Sequence, residues 1–330
     1  MKKPSLANRL KYLMFDPHYP DVGIEIDSNC IRLAVVSADK GSISLKHFDS
    51  EELPEGAVEI SPLKLNVQKL DVVAEALKSI WSRNRFQTPK ICLLLQDRAA
   101  LTFHVQLEHP AANRQECLDL IRFKLRKSVP FRIEEAQITY FDASGSFDPS
   151  AGALWVTLIN QTVLRQYEQV IQSSIDTESG LVDLATFNLL NLSDWAIRRE
   201  GLTDEDLLYV NLARDYVSIA ITQKGKLSFF RTRELEKRNG IVEEALAEIY
   251  PATMYYIDKL AGSNLAQAFI HSSTYAEELC AQVEKSLQLK PVTLTPESFA
   301  GTQFDPTTLD HLDPFSPLLG LITSRKVEFL

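Results

Sequence analysis

The chain has 330 residues, of which 45% are hydrophobic and 24% are charged, which is the composition of an ordinary globular protein. A chain of this length most often forms two domains. The net charge of −9 argues against general nucleic-acid binding, because phosphate contacts need a clustered positive face. The four cysteines form no Cys-x-x-Cys pair, so the sequence shows neither a zinc motif nor a redox motif.

Residues 1–20 form a basic and amphipathic N-terminal segment. Leucines recur at helical spacing across residues 4–15, and four lysines and arginines supply positive charge. This pattern is typical of a short helix packed on its own domain or of a partly ordered tail, and it also suits weak contact with an anionic inner-membrane surface. The sequence has neither a long apolar run nor a convincing signal peptide, so we expect a cytoplasmic protein.

The first half of the chain alternates predicted strands and helices. Strands are predicted over 22–26, 31–36, 43–48, 91–95, 101–107, 137–142, 154–159 and 181–184. Helices are predicted over 67–81, 112–127, 162–173 and 186–198. The polar stretch 198–206 is the best candidate for a linker.

The same pattern returns in the second half. Strands are predicted over 207–212, 216–222, 227–232, 268–271 and 292–294, and helices over 241–260, 276–287 and about 315–325. Residues 223–225 have the residue types of a hairpin turn, as do residues 39–41 in the first half.

The two halves align with a constant offset. Ile26 and Leu212 are 186 positions apart, as are Ile31 and Val217, and apolar residues match at several positions between 31 and 36. Chance similarity of two amphipathic hairpins is one explanation. The other is an internal repeat of two similar α/β domains with a cleft between them, into which the turns 27–30 and 213–216 point.

One segment resembles a known family closely. Residues 121–140, IRFKLRKSVPFRIEEAQITY, are similar to a segment of the type IV pilus assembly protein PilM family, I-x-x-E-x-x-x-x-I-P-F-x-x-E-E-x-x-x-D-Y. Two positions depart from it, Lys124 and Thr139. The residues that match it after Ile121 are Pro130, Phe131, Glu134, Glu135 and Tyr140. Residues 22–36, 98–110 and 315–325 also resemble family motifs.

This resemblance implies an actin-like (ribonuclease H-like) α/β fold with two domains, over residues 21–200 and 201–330. It also implies an inserted subdomain over about 110–183 and a last helix, over about 315–325, that returns to the first domain.

The resemblance further implies a cleft for ATP with Mg²⁺, but the first phosphate turn departs from the family pattern. Asp27 stands where the family has glycine, and a carboxylate there repels phosphate. Ser28 and Asn29 still offer donors.

The second turn and the adenosine end depart as well. Asn211 and Ala213 replace an aspartate and a glycine, while Arg214 either compensates at the phosphates or is a solvated turn charge. Ser272 and Ser273 replace two glycines. These changes predict a degenerate cleft that does not hydrolyse ATP, with no catalytic residue and no metal site.

Members of the resembled family bind the short N-terminal cytoplasmic peptide of PilN, a bitopic membrane protein. The resemblance therefore implies a cytoplasmic scaffold of the type IV pilus assembly platform, peripheral at the inner membrane, that forms rings or dimers. Candidate peptide-binding residues are Phe123, Val129, Phe131 and Ile133, whose alternative role is ordinary subdomain core.

Two alternative functions remain open from the sequence. The first is a functional actin-like ATPase, which would need the missing turn glycines and carboxylates. The second is the cytoplasmic L-type component of a type II secretion system.

Overall fold

The computed structural model describes residues 20–39, 42–84, 88–143, 152–236, 240–296 and 313–323. The predicted helix over residues 4–15 and the hairpin residues 40–41 lie outside the described residues. The described strands are β1 (Val22–Ile26), β2 (Cys30–Asp39), β3 (Ser42–Glu52), β4 (Lys90–Leu95), β5 (Leu101–Gln106), β6 (Ala136–Phe141), β7 (Ala153–Asn160), β8 (Glu178–Leu184), β9 (Asp206–Leu212), β10 (Tyr216–Gln223), β11 (Lys226–Glu234), β12 (Gln267–His271) and β13 (Pro291–Thr293). The described helices are α1 (Leu70–Asn84), α2 (Arg114–Leu125), α3 (Gln161–Ile175), α4 (Ala185–Glu200), α5 (Ile241–Lys259), α6 (Ala276–Leu287) and α7 (Ser316–Thr323).

The first sheet has five strands in the order β3-β2-β1-β4-β8, antiparallel across β3-β2-β1 and parallel across β1-β4-β8. Side chains along its strands point alternately into two cores. Ile24 and Leu93 face the core with α1 and α3, whereas Ala34 and Cys92 face the core with α7. The sheet is therefore covered on both faces, which explains the nearly unbroken apolar run of β4.

The second sheet repeats this order as β11-β10-β9-β12-β13. Ile26 lies opposite Ile31 in the first sheet, and Leu212 lies opposite Val217 in the second, at the offset of 186 residues that the sequence shows. The repeat predicted from the sequence is therefore a repeat of structure. The predicted turn between β10 and β11 is present too, with positive φ at Lys224 and Gly225, as a type I′ hairpin turn requires.

A smaller antiparallel sheet, β5-β7-β6, packs against α2 and lies between β4 and β8 in chain order. Its extent differs from the predicted range of about 110–183. Strand β8 pairs with β4 in the first sheet, and α3 packs in the first core, so both belong to the first half. Strand β5, which begins at Leu101, belongs to the small sheet instead.

Helix α7 packs on the first sheet and on α4. A Cβ atom at Gly23 would lie 2.7 Å from side-chain atoms of Leu318 and Ile322, and one at Gly320 would overlap the Asn188 carbonyl of α4. The absence of side chains at these two glycines lets the helix approach closely. Residues 324 and 325 of the predicted helix lie outside the described residues.

Other boundaries also differ from the prediction. Helix α4 continues through Glu200 and ends where Gly201 adopts a φ of +72°, so the polar connection to β9 is only 201–205. Helix α1 begins at Leu70 rather than at 67, because Val67 pairs with Val58 in an isolated bridge. No helix within the described ranges is both long and apolar enough to cross a membrane.

Candidate functional site

The two repeated turns follow β1 and β9 and have the same backbone bond. The Asp27 amide donates to the Cys30 carbonyl at 2.9 Å, and the Ala213 amide donates to the Tyr216 carbonyl at 3.0 Å. Buried polar side chains from both halves meet beside these turns. We call this group the polar seam; it consists of Glu25, Arg32, Gln96, Asp97, Thr186, Asn211, Tyr216, Ser218 and His271.

Asp97 is the centre of the polar seam. It lies in a short 3-10 turn that follows β4, and its carboxylate accepts hydrogen bonds from the Thr186 amide at 3.0 Å and the Thr186 hydroxyl. From the second half, Ser218 Oγ donates at 2.8 Å and Asn211 Nδ2 at 3.3 Å. Burial raises the pKa of Asp97, although these donors act in the opposite direction. One carboxylate thus joins both halves of the chain.

A second chain of bonds runs through Gln96. The Tyr216 hydroxyl donates to Gln96 Oε1, and Gln96 Nε2 donates to Glu25 Oε1 at 2.6 Å. Arg32 Nη1 then pairs with Glu25 Oε2 at 3.0 Å. Burial raises the pKa of Glu25, and the charge of Arg32 partly offsets that effect. The tyrosine of the second half is therefore bonded to a buried ion pair of the first half.

His271 connects the seam to the segment before α7. Its Nδ1 lies 3.0 Å from Asn211 Oδ1, and its Nε2 lies 3.2 Å from the Asp313 carbonyl. Burial lowers the pKa of His271 to about 4, so the imidazole is neutral near pH 7.

An ion-pair cluster lies outside the seam. Arg98 of the first half pairs with Asp215 at 2.6 Å and with Glu234 at 2.7 Å, both from the second half. The Arg98 side chain is only 15% exposed. This pairing adds a second connection across the cleft, next to the second turn.

In the first turn, groups that could bind a phosphate are already bonded within the chain. Asp27 Oδ1 accepts the Ser28 amide at 2.6 Å, and Asp27 Oδ2 lies 3.5 Å from Arg32 Nη1. Asn29 is exposed. A depression of about 690 Å³ beside this turn is lined by carboxylates as well as by Arg32. Those carboxylates are Asp49 and Glu52.

The other predicted nucleotide contacts are dispersed. Asn211 is part of the polar seam, Ala213 closes its own turn, and Arg214 is exposed. The Ser272 hydroxyl accepts the Tyr275 amide at 3.1 Å at the start of α6, while Ser273 is exposed.

Several of the predicted nucleotide contacts are bonded to other groups of the chain. The turn amide of Ser28 is bonded to a carboxylate, and side chains of the polar seam bridge the two halves. Within the described ranges, no three His, Cys, Asp or Glu side chains are grouped so as to hold a metal ion.

Sequence reasoning missed most of the polar seam, although the sequence contains a signal for it. Glu25 and Arg32 interrupt two apolar strands, and Gln96 and Asp97 directly follow the apolar run of β4. Charged residues are rarely buried unless they are paired. A charge inside a buried strand therefore indicates a partner elsewhere in the chain.

The predicted peptide-binding residues divide by burial. Val129 and Ile133 belong to the core of the small sheet and α2, which is the alternative role that the sequence left open for them. Phe131 is half-buried against the same core. Phe123 is 78% exposed on the outer face of α2.

A shallow depression of about 530 Å³ lies along α2, one turn before Phe123. It is lined by Asn113, Gln115, Glu116, Asp119 and Leu120. Leu120 and Phe123 are three residues apart, so both lie on the same face of the helix. This face offers an apolar anchor beside a polar depression.

Comparison with solved structures identifies the fold. The structure is similar to a chain of the PilM-PilN type IV pilus biogenesis complex, with a TM-score of 0.76 and 16% identity over 94% of this chain and 99% of that one. It is also similar to a Bacteroides thetaiotaomicron protein with an actin-like ATPase fold, with a TM-score of 0.48 and 11% identity over 92% and 95% of the two chains. A third similar structure is the cytoplasmic domain of EpsL, an inner membrane component of the type II secretion system of Vibrio cholerae. Its TM-score is 0.44, with 11% identity over 76% and 80% of the chains.

No protein-family model and no curated protein sequence matches the chain. Similarity at 16% identity shows the fold alone. The two sheets of equal strand order and the similarity to the chain of the PilM-PilN complex confirm the prediction made from the sequence: the chain has the actin-like ATPase fold.

Proposed function

We propose that this protein is a scaffold of the type IV pilus assembly platform that binds the N-terminal cytoplasmic peptide of a PilN-like membrane partner. The observation that carries the proposal is the similarity to a chain of the PilM-PilN complex over nearly the full length of both chains. The VPF-x-x-EE segment at 129–135 supports it from the sequence. Binding to such a partner would hold the protein at the cytoplasmic face of the inner membrane.

The scaffold works without nucleotide in this proposal. An actin-like ATPase closes its cleft around phosphates and a metal ion, whereas here the cleft is bridged by Asp97 and Tyr216. Opening the cleft for ATP would break buried hydrogen bonds to both side chains, and each broken bond leaves a polar group unpaired. We therefore assign the cleft a structural role.

The partner peptide occupies the outer face of α2 in this proposal. Phe123 supplies an exposed aromatic anchor, and the depression beside Leu120 accepts a neighbouring peptide side chain. Peptide grooves generally combine apolar pockets with a few polar contacts. Phe131 packs against the core of the same subdomain.

A peptide-binding titration tests the assignment. The full chain is titrated against a labelled N-terminal peptide of a PilN-like protein by fluorescence anisotropy. Phe123→Asp should weaken binding at least about tenfold, because it removes the apolar anchor. The matched control is Ile257→Asp on α5, which makes the same kind of change at another exposed apolar residue and should leave the peptide affinity unchanged.

Two results would refute the assignment. The first is a wild-type chain that does not bind the peptide. The second is equal weakening by Phe123→Asp and Ile257→Asp. Addition of ATP and Mg²⁺ should change the peptide affinity by less than about twofold, because a ligand that does not bind cannot shift an equilibrium.

A further inference from the structure

Residues 55–71, between β3 and α1, form a lobe with two paired arms. Val58 pairs with Val67 in an antiparallel bridge, and the Glu59 amide donates to the Asn66 carbonyl at 2.8 Å. The residues between these arms form the tip of the lobe. We call residues 55–71 the leucine lobe.

The leucine lobe exposes three leucines within eight residues. Leu63, Leu65 and Leu70 are 50%, 48% and 52% exposed. They account for three of the seven exposed large apolar side chains in the described ranges. Single exposed leucines are common, but several in one short segment indicate an interaction surface.

Hydrogen bonds to α3 hold the leucine lobe in place. Asn66 is fully buried, and the amides of Asn66 and Val67 donate to Gln166 Oε1 at 2.8 and 3.0 Å. Gln166 Nε2 donates back to the Val67 carbonyl at 2.8 Å, and Asn66 Nδ2 donates to the Tyr167 hydroxyl at 3.1 Å. The lobe therefore keeps its leucines exposed while its backbone is fixed on α3.

Exposed charges of both signs border these leucines. Lys64 and Lys69 are exposed, and so are Glu55, Glu59 and Asp71. Lys69 Nζ donates to the Glu55 backbone carbonyl at 2.9 Å, which places its ammonium on the opposite arm. Within the described part of the chain, none of these five charges is engaged in an ion pair. The leucine lobe therefore offers apolar side chains together with unpaired ammoniums and carboxylates.

This mixture of charges is complementary to itself. A partner surface of a single charge sign would be attracted by some of these charges and repelled by the others. A second copy of the leucine lobe carries the same two ammoniums and three carboxylates. A two-fold axis brings one residue of the first copy to a different residue of the second copy and the reverse, so each attraction between a lysine and a carboxylate is made twice. The charges of the lobe thus favour a second copy of this chain as its occupant.

We propose that the leucine lobe is the contact between two copies of this chain that are related by a two-fold axis. The leucines of the two copies pack against each other, and the lysines of each copy contact carboxylates of the other. Protein interfaces generally combine an apolar centre with a polar rim, and complementary charges fix the register of the two partners. The fixed backbone means that little conformational entropy is lost on association.

The size of the leucine lobe indicates a weak dimer. The lobe has 17 residues, whereas a stable interface of standard size uses about 20–30 residues from each partner. The fraction of dimer should therefore rise with protein concentration. This contact is separate from the peptide face on α2, and it does not rest on the pilus assignment.

Sedimentation velocity of the full chain tests the proposal. Over about 1–100 μM protein, the average mass of wild type should rise from that of one chain towards that of two. The double variant Leu63→Ser/Leu65→Ser should raise the dissociation constant of the dimer at least about tenfold, because it removes two apolar side chains from the contact. The matched control is Tyr250→Ser/Ile257→Ser, which replaces two exposed apolar residues on α5 and should leave that dissociation constant unchanged.

Two charge-reversal variants test the complementarity of the lobe. Lys64→Glu/Lys69→Glu makes every charge of the lobe acidic, and Glu55→Lys/Glu59→Lys makes nearly all of them basic. Each variant alone should form a dimer at least about tenfold more weakly than wild type, because like charges then face each other. An equimolar mixture of the two variants should recover the dimer, since every lysine of one lobe then meets carboxylates of the other.

The leucine variant distinguishes this contact from general attraction between opposite charges. Leu63→Ser/Leu65→Ser added to both members of the mixture should abolish the recovered dimer. A wild-type chain that stays monomeric over the whole concentration range, or a mixture no more dimeric than its separate members, would overturn the proposal. If Leu63→Ser/Leu65→Ser keeps the dimer but loses the PilN-like peptide, the lobe binds that peptide and its assignment to a second copy is wrong.

Discussion

Substitution of Asp97 by alanine should destabilise the protein strongly. The Asp97 carboxylate accepts four hydrogen bonds, from the amide and hydroxyl of Thr186, from Ser218 and from Asn211. A buried donor left without a partner costs about 1–3 kcal/mol. We expect Asp97→Ala to lower the free energy of unfolding by about 3 kcal/mol or more, because several donors lose their acceptor together.

Urea unfolding followed by circular dichroism measures this loss. The control is Asp258→Ala, an exposed change on α5 that should stay within about 0.5 kcal/mol of wild type. A double-mutant cycle with Ser218→Ala then isolates the connection between the halves. Residues in one hydrogen-bond network couple by about 0.5–3 kcal/mol. A loss below about 1 kcal/mol for Asp97→Ala, or strict additivity with Ser218→Ala, would show that Asp97 does not join the two halves.

Three further outcomes are expected. The folded-state pKa of His271 is about 4, below its ordinary 6.5, so its contribution to stability is complete above pH 6.5 and is lost as the pH falls towards 4. Between those pH values the free energy of unfolding should fall by about 3 kcal/mol more for wild type than for His271→Asn. An equal pH dependence of the two proteins would contradict a neutral buried imidazole. Gly320→Ala should lower the free energy of unfolding by about 3 kcal/mol or more in the same assay, because the new Cβ overlaps the Asn188 carbonyl. The Cβ of Gly56→Ala meets no atom within 4 Å, so this control should lower the free energy of unfolding by less. Isothermal titration with ATP and Mg²⁺ should detect no binding, and a micromolar dissociation constant, about 8 kcal/mol, would refute the structural role assigned to the cleft.

The repeat could be predicted from the sequence because it produces local patterns of apolar residues and turns. Alternating apolar residues and hairpin turns predicted both sheets, since each buried strand shows its own periodicity. The polar seam, in contrast, joins residues that are far apart in the sequence. Asp97 and Thr186 are 89 positions apart, and Gln96 and Tyr216 are 120 positions apart. Periodicity gives no information about which distant polar residues meet.

The burial of Val129 and Ile133 could not be predicted from the sequence for a related reason. Val129 lies in an irregular stretch and Ile133 begins a short 3-10 turn, where the sequence does not show which side faces the core. The structure shows that both fill the space between α2 and the small sheet. Phe123, by contrast, lies on a regular helix, in which Cys117, Ile121 and Leu125 are buried. The outward position of Phe123 follows from the helical period.

The position of α7 has a consequence for synthesis on the ribosome. This helix covers one face of the first sheet, yet it follows α4 by about 120 residues, which take roughly 6–25 s to translate. During that interval Ala34, Cys92 and Leu94 lack the cover that α7 supplies. The first half therefore cannot complete its core as it emerges, and it must wait, with an apolar face exposed, until the second half has been made. Chaperone capture during translation should accordingly concentrate on the first half, and chains truncated before residue 316 should aggregate even though most of the first sheet is present.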